Sequence, residues 1–187
     1  MSIESEKFEK LDFSENGFRN FEFNECTFNN CNFSGCNLSD KDFNECIFKN
    51  CDWSNVSLTN TVLKDVTYIN CKLIGVDFSP CKRLLFSVSF EQCQLDYASF
   101  LNMNLKKTPF RDCVIKEASF YGSNLSESVF ENCNLLSTVF ENSNLMGVNF
   151  ETAFNYIINP DTNIIKKARF SYPAVLGLLE KYDIRVV

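Results

Sequence analysis

Large apolar residues recur at every fifth position along most of this chain. The series begins Phe8, Phe13, Phe18, Phe23, Phe28, Phe33, Leu38, Phe43, Phe48, Trp53, Leu58, Leu63, Tyr68, Leu73, Phe78. Across "SPCKRLL" the register slips by two residues and resumes at Leu85. It then continues through Phe90, Leu95, Phe100, Leu105, Phe110, Ile115, Phe120, Leu125, Phe130, Leu135, Phe140, Leu145 and Phe150. A helix would repeat about every 3.6 residues and a strand every two, so neither accounts for this pattern. A fixed short period instead marks a repeat architecture.

A second period of twenty lies over the first. Phe90, Phe110, Phe130 and Phe150 form one column, and Phe100, Phe120 and Phe140 another. Between them run Leu95, Ile115, Leu135 and Leu105, Leu125, Leu145. A square tube, with four five-residue units to a coil, places two Phe walls and two aliphatic walls this way. Coils stacked at the inter-strand distance of about 4.8 Å give, for about seven coils, a rod roughly 34 Å long.

All ten cysteines stand two positions before a place in the five-residue register: Cys26, Cys31, Cys36, Cys46, Cys51, Cys71, Cys81, Cys93, Cys113 and Cys133; for Cys81, at the slip, that place is Arg83. Val, Ala, Ser and Thr fill the same position elsewhere, so Cys is one choice among small residues, and thiols pack well as small hydrophobes. Cys93, Cys113 and Cys133 fall in one column. Parallel thiols in a column do not make a tetrahedral metal site, and a disulfide between them would be strained. The cysteines therefore read as core packing, with no metal and no cofactor.

The units "CNLSD", "SNLSE", "CNLLS" and "SNLMG" resemble the pentapeptide-repeat family: a small residue, a polar one, Leu or Phe, then two variable positions. The resemblance covers about four-fifths of the chain. It implies an all-β fold, a right-handed quadrilateral β-helix. The chain divides accordingly into an N-terminal β-helix section (1–78), an interruption (79–84), a second section (85–150) and a tail (151–187). Pro80 removes a ladder donor, so a bulge is expected there, with Lys82 and Arg83 as candidate partner contacts. In the tail, "SYPAVLGLLEKY" predicts a short α-helix with Ser171 as N-cap and Pro173 in the first turn. Leu176, Leu179 and Tyr182 would share one of its faces. With Phe170 they are candidates to cap the open end of the β-helix or to join two copies. The resemblance implies the second role, a homodimer through the tail.

Composition narrows the function. The 187 residues include no histidine, which removes the commonest general base and metal ligand. With no Gly-rich phosphate loop either, an enzyme is not expected. There is no apolar run of membrane-spanning length, and "MSIESEKFEKLDF" lacks the form of a signal peptide. The expectation is a cytoplasmic protein whose thiols stay reduced.

Net charge is −6, with 20 acidic and 13 basic residues in 1–150. Between Glu117 and Ile165 there is no Lys or Arg, while Glu117, Glu127, Glu131, Glu141 and Glu151 are present. These five are the candidate partner-binding carboxylates. Within the family, two registers around an interruption and an Asn-Pro-containing tail resemble the quinolone-resistance group, the Qnr-type and microcin B17 immunity-type proteins. That resemblance implies a DNA mimic that binds DNA gyrase or topoisomerase IV and does not itself bind nucleic acid. One departure is the short interruption, where strongly protecting Qnr-type proteins carry longer loops. The alternative is a protein–protein interaction scaffold with no topoisomerase role.

Overall fold

The computed structural model describes residues 2–14 and 22–186; Phe18, one member of the period-five series, lies outside them. The chain winds as an all-β solenoid with four walls. One wall is a nine-stranded parallel sheet that runs from Lys7–Glu9 to Arg169–Phe170. A four-stranded parallel sheet, from Ser2–Glu4 to Val62–Lys64, forms the N-terminal half of another. Single bridges such as Asn32↔Asp52 and Ser99↔Ser119 tie the remaining walls. In chain order we number the walls by their inward residues: first Phe8, second Phe13, third Leu38, fourth Phe43.

Register is twenty residues per coil. Phe8 pairs with Phe28, Phe28 with Phe48, and Phe110 with Phe130. Inward side chains therefore stack on their own kind. The first-wall rings of Phe90, Phe110, Phe130, Phe150 and Phe170 lie parallel, at centroid distances from 4.7 Å to 5.4 Å. The third-wall rings of Phe78, Phe100, Phe120 and Phe140 do the same, and the two stacks meet edge-on, as at Phe120–Phe130 with an interplanar angle of 83°. Leu105, Leu125 and Leu145 fill the fourth wall, and all of these side chains except Phe170 are buried.

Each coil must also turn four corners. The second residue after most inward positions takes the left-handed conformation, for example Asn30 (φ 55°), Asn50 (φ 53°) and Gly35 (φ 69°). Asn and Gly tolerate it best, which accounts for their recurrence at that place in the repeat.

The small inward residue has a second task besides packing. At the corner after the first wall, its side chain donates a hydrogen bond to the inward residue's carbonyl one coil below. Cys51 Sγ reaches Phe28 O at 3.4 Å, Cys71 reaches Phe48 O at 3.3 Å and Cys93 reaches Tyr68 O at 3.4 Å. Cys133 does the same to Phe110 O. At other corners Thr61, Ser128 and Ser143 make the equivalent bond with a hydroxyl. All ten cysteines are buried free thiols, and six of them align as one column: Cys31, Cys51, Cys71, Cys93, Cys113 and Cys133. Burial pushes the Cys46, Cys81 and Cys93 thiols up to about 12.

Three expectations need correction. The series does not resume at Leu85. Tyr68 pairs with Phe90, a shift of 22, and the extra residues form a 3-10 turn at Arg83–Leu85. Leu85 is 47% exposed and Phe86 takes the core position instead, edge-on to Phe78. Nor does the winding end at Phe150. Asn134↔Phe154 and Asn144↔Ile164 bridge, and Phe150 pairs with Phe170, so one more coil follows and the solenoid makes about eight turns rather than seven.

The tail, finally, contains no α-helix. Ala174–Leu178 and Glu180–Tyr182 are 3-10 turns, and no side chain caps either of them. A segment this short nucleates an α-helix poorly, and Val175 and Gly177 are weak helix formers. Gly177 is also committed elsewhere. Its carbonyl accepts the Ile158 N–H at 3.2 Å, and a Cβ there would lie 2.1 Å from Tyr156 O.

Phe110→Ala removes a ring from the middle of a stack, and its expected cost is about 3–5 kcal/mol. Tyr68 holds a buried hydroxyl without a partner, between Phe48 and Phe90. Tyr68→Phe should therefore be neutral or stabilising by up to about 1 kcal/mol. Urea unfolding of the two variants checks both signs. The raised thiols add a pH dependence. Their protonated form is favoured by folding, so their contribution is full at neutral pH and is lost as pH rises from about 9 toward about 12. The melting temperature should stay level from about pH 6 to about pH 8 and decline above that.

Candidate functional site

The candidate surface is the rod's exterior. Openings between the walls are shallow, polar grooves, such as one of about 410 Å³ beside the interruption, lined in part by Ser87, Asn104 and Lys106. Among the described residues, no three His, Cys, Asp or Glu side chains are placed to hold a metal ion. No helix among them is long and apolar enough to cross a membrane.

Winding scatters the five candidate glutamates. Glu131 and Glu151 follow first-wall residues Phe130 and Phe150, in the column of Glu91 and Arg111. Glu117 and Glu127 occupy left-handed corners, φ 54° and 62°, after the second and fourth walls. Glu141 lies on the third wall, where its carbonyl accepts the Gly122 N–H. Only Glu131 and Glu151 are brought together.

Winding also brings in cations from outside the Lys- and Arg-free stretch 117–165. Arg111 Nε donates to Glu131 Oε2 at 3.2 Å, and Arg169 lies 3.9 Å from Glu151. Lys106 and Lys107 reach Glu127 at 3.4 Å and 3.6 Å. Desolvation is the largest single influence and opposes them, yet Lys107 and Lys106 together hold the Glu127 carboxyl below its ordinary range. Solvent-screened pairs like these add little to stability, but they neutralise the surface locally. Glu117 accepts a hydrogen bond from Tyr97 Oη at 3.2 Å, which raises the Tyr97 phenol.

The densest set of carboxylates lies elsewhere, on the N-terminal half of the fourth wall. Glu22 pairs in register with Asp42. Glu25, Glu45 and Asp65 follow one another up the adjoining corner, all with φ of 53–54°, and Glu4 and Glu25 line one groove with Glu45. The signal for this stripe is present in the sequence at the twenty-residue spacing, and is invisible in runs of consecutive residues.

At the interruption, Lys82 is held 4.0 Å from Asp42. Arg83 is exposed, and beside it Leu84 is 94% exposed.

In the tail the candidate residues divide by exposure. Ala174 and Leu178, with Phe170, pack against the core. Leu179 and Tyr182 are exposed, with Ile184 and Val186 beside them, and Leu176 joins Leu179 in lining an outward groove of about 250 Å³. Lys181 pairs with Asp161, which ties the tail to the last coil.

The pentapeptide repeat region signature matches residues 21–100 and 83–155. No curated protein sequence matches the chain. Among solved structures, full-length QnrB1, a plasmid-mediated fluoroquinolone resistance protein, is similar over 98% of this chain and 100% of its own, at 18% identity and a TM-score of 0.63. A trypsin-treated variant of QnrB1 aligns over 100% of this chain and 92% of its own, at 19% identity and a TM-score of 0.58. HetL, a pentapeptide repeat protein from the cyanobacterium Nostoc sp. strain PCC 7120, aligns over 91% of this chain and 86% of its own, at 14% identity and a lower TM-score of 0.47. With a signature that spans most of its length and coils of four five-residue units, the chain belongs to the pentapeptide-repeat family.

Proposed function

We propose that this protein is a non-enzymatic, DNA-mimicking rod that binds a type II topoisomerase, DNA gyrase or topoisomerase IV. Binding modulates the enzyme or shields it from a quinolone or a toxin. The observation that carries this reading is the end-to-end likeness to QnrB1, a fluoroquinolone resistance protein. Ten free thiols suit the reducing cytoplasm as the place of action.

Charge shapes the reading. A rod of about eight inter-coil spacings is roughly 38 Å long, a length over which duplex DNA carries about 22 charges. With Glu127, Glu131 and Glu151 offset by cations, electrostatic likeness to DNA is concentrated on the N-terminal fourth wall. There a field complementary to a basic DNA-binding surface would guide encounter and orientation. The same neutralisation favours a second reading, a protein–protein scaffold that recognises its partner by shape and by the exposed Leu84, without a topoisomerase role. The apolar end formed by exposed Leu179, Tyr182 and Ile184, with half-buried Leu176 beside them, supports a homodimer joined tail to tail, since exposed apolar patches mark association surfaces.

Gyrase supercoiling, titrated with purified protein with and without a fluoroquinolone, tests the first reading. Restored supercoiling in the drug's presence is expected of a protector, and loss of supercoiling without drug of an inhibitor. No change in either curve leaves the scaffold. If the mimicry lies on the fourth wall, Glu22→Lys with Glu45→Lys should weaken the effect at least tenfold, and Glu131→Lys by much less. Gly177→Ala should displace the tail and reduce tail-to-tail dimers in sedimentation while leaving the rod's circular dichroism unchanged. An unaltered dimer fraction would remove the tail from that contact.

A further inference from the structure

The cations that winding brings to the C-terminal half serve two of its four walls. Arg111 and Arg169 pair on the first wall, and Lys106 and Lys107 on the fourth. The second and third walls differ. Over 92–104, 112–124, 132–144 and 152–164 they carry Asp96, Asp112, Glu117, Glu141 and Asp161 against Lys116. Lys181 reaches Asp161 from the tail. Five carboxylates against two ammonium groups leave this face at −3.

Among these charges runs a band of exposed apolar side chains. Leu101 and Tyr121 stand on the third wall on successive coils, with Asn102 N–H bonded to Tyr121 O. Val139 follows one coil higher, in register with Ser119. Leu136 lies around the corner from it on the second wall, where its carbonyl accepts the Glu117 N–H. Phe154, bridged to Asn134, and Ile157 continue on the next coil. All six are between 39% and 57% exposed. Asp96 and Glu117 lie on the lower flank of the band, Glu141 and Asp161 on the upper. An apolar patch with a polar rim marks an association surface.

Tyr97 points the same way. It occupies the corner between these two walls with φ 61°, where Gly75 stands one coil below. A bulky ring is costly in that conformation, and this one is 59% exposed, so core packing does not offset the cost. Its hydroxyl donates to Glu117 Oε1 and holds that carboxylate beside the band. Backbone pairing limits what can dock here. The N–H groups of Ile115, Phe120, Gly122 and Leu135 are all taken by carbonyls of the next coil. The face therefore offers side chains and no free strand edge.

We infer that this face docks a cationic amphipathic helix of another protein. The helix lays its apolar stripe along the band and directs Lys or Arg side chains at Asp96 and Glu117 on one flank and at Glu141 and Asp161 on the other. The band rises three inter-coil spacings, about 14 Å, which about ten helical residues match. Anchors three and four residues apart suit such a groove-bound helix. A second copy presenting the same face would bring carboxylate against carboxylate, and an anionic membrane would be repelled in the same way. The site is separate from the acidic fourth wall and from the tail, and does not depend on a topoisomerase partner.

Fluorescence anisotropy of the full chain with a labelled model peptide tests the proposal. The probe is about 15 residues long, a Leu stripe flanked by Lys, and its control carries Glu in place of each Lys. Saturable binding of the Lys peptide is expected, with a dissociation constant that rises at least tenfold from about 0.05 M to about 0.5 M salt. The peptide should become helical on binding, read by circular dichroism, and the Glu peptide should not bind. Leu136→Ser with Val139→Ser should weaken binding several-fold, as should Glu117→Gln with Glu141→Gln. Glu22→Gln with Glu45→Gln removes the same charge from the fourth wall and should change it little. Equal loss in the two charge pairs would assign binding to net charge and overturn the proposal. No saturable binding, equal binding of both peptides, or a bound peptide that stays unfolded overturns it too. So does self-association of the chain that Leu136→Ser with Val139→Ser abolishes, since the face would then belong to a second copy.

Discussion

Inward side chains in this rod have their main neighbours one coil away, twenty positions along the chain except across the interruption, where the step is 22. The parallel ladder sets the distance between coils at about 4.8 Å, and flat rings stack comfortably at that spacing. The observed separations of 4.7 Å to 5.4 Å show the two requirements agreeing. One residue type can therefore be repeated up a wall without steric conflict, which is how 20 Phe fit in a chain of this size. The thiol and hydroxyl donors complete the scheme by satisfying carbonyls that turn inward at the corners. A buried carbonyl left without a partner would cost about 1–3 kcal/mol, so Cys, Ser or Thr at the small position contributes a donor as well as volume, whereas Val and Ala there contribute volume alone.

The fold was legible because its two periods, five and twenty, are written directly in the spacing of Phe and Leu. The burial of all ten cysteines was legible for the same reason, although their hydrogen-bonding role was not. That role shows only when Ser, Thr and Cys are recognised as interchangeable donors. The exchange of Leu85 for Phe86 was hidden, because an inserted turn lets two adjacent apolar residues compete for one core place. The final coil was hidden because Asn155 and Pro160 stand where the spacing calls for large apolar residues, and Tyr156 enters the core one place off it. The tail imitates an amphipathic helix, since 3-10 turns also place residues three apart on one face.

Charge was the least legible property. A run of residues without Lys or Arg says little about local potential in a solenoid, where Arg111 and Arg169 stand beside Glu131 and Glu151 from adjacent coils. Sorting the sequence into columns moves the acidic emphasis from the C-terminal glutamates to the N-terminal fourth wall. Any surface argument for this molecule, whether about a DNA-like field or about a docked helix, must be made column by column. The family establishes the scaffold, and partner choice rests on what decorates its outward positions.

The interruption shows what such a scaffold permits. Two surplus residues enter between Phe78 and Phe90, yet Tyr68 still stacks on Phe90 at 5.4 Å and Phe78 on Phe100 at 4.7 Å. The insertion is absorbed at a corner, and the phase of the winding above it is unchanged. Corners are thus open to editing in a way that walls are not. A graft of arbitrary length there would project outward while the stacks close beneath it, so a lineage can acquire a new recognition loop without redesigning its core.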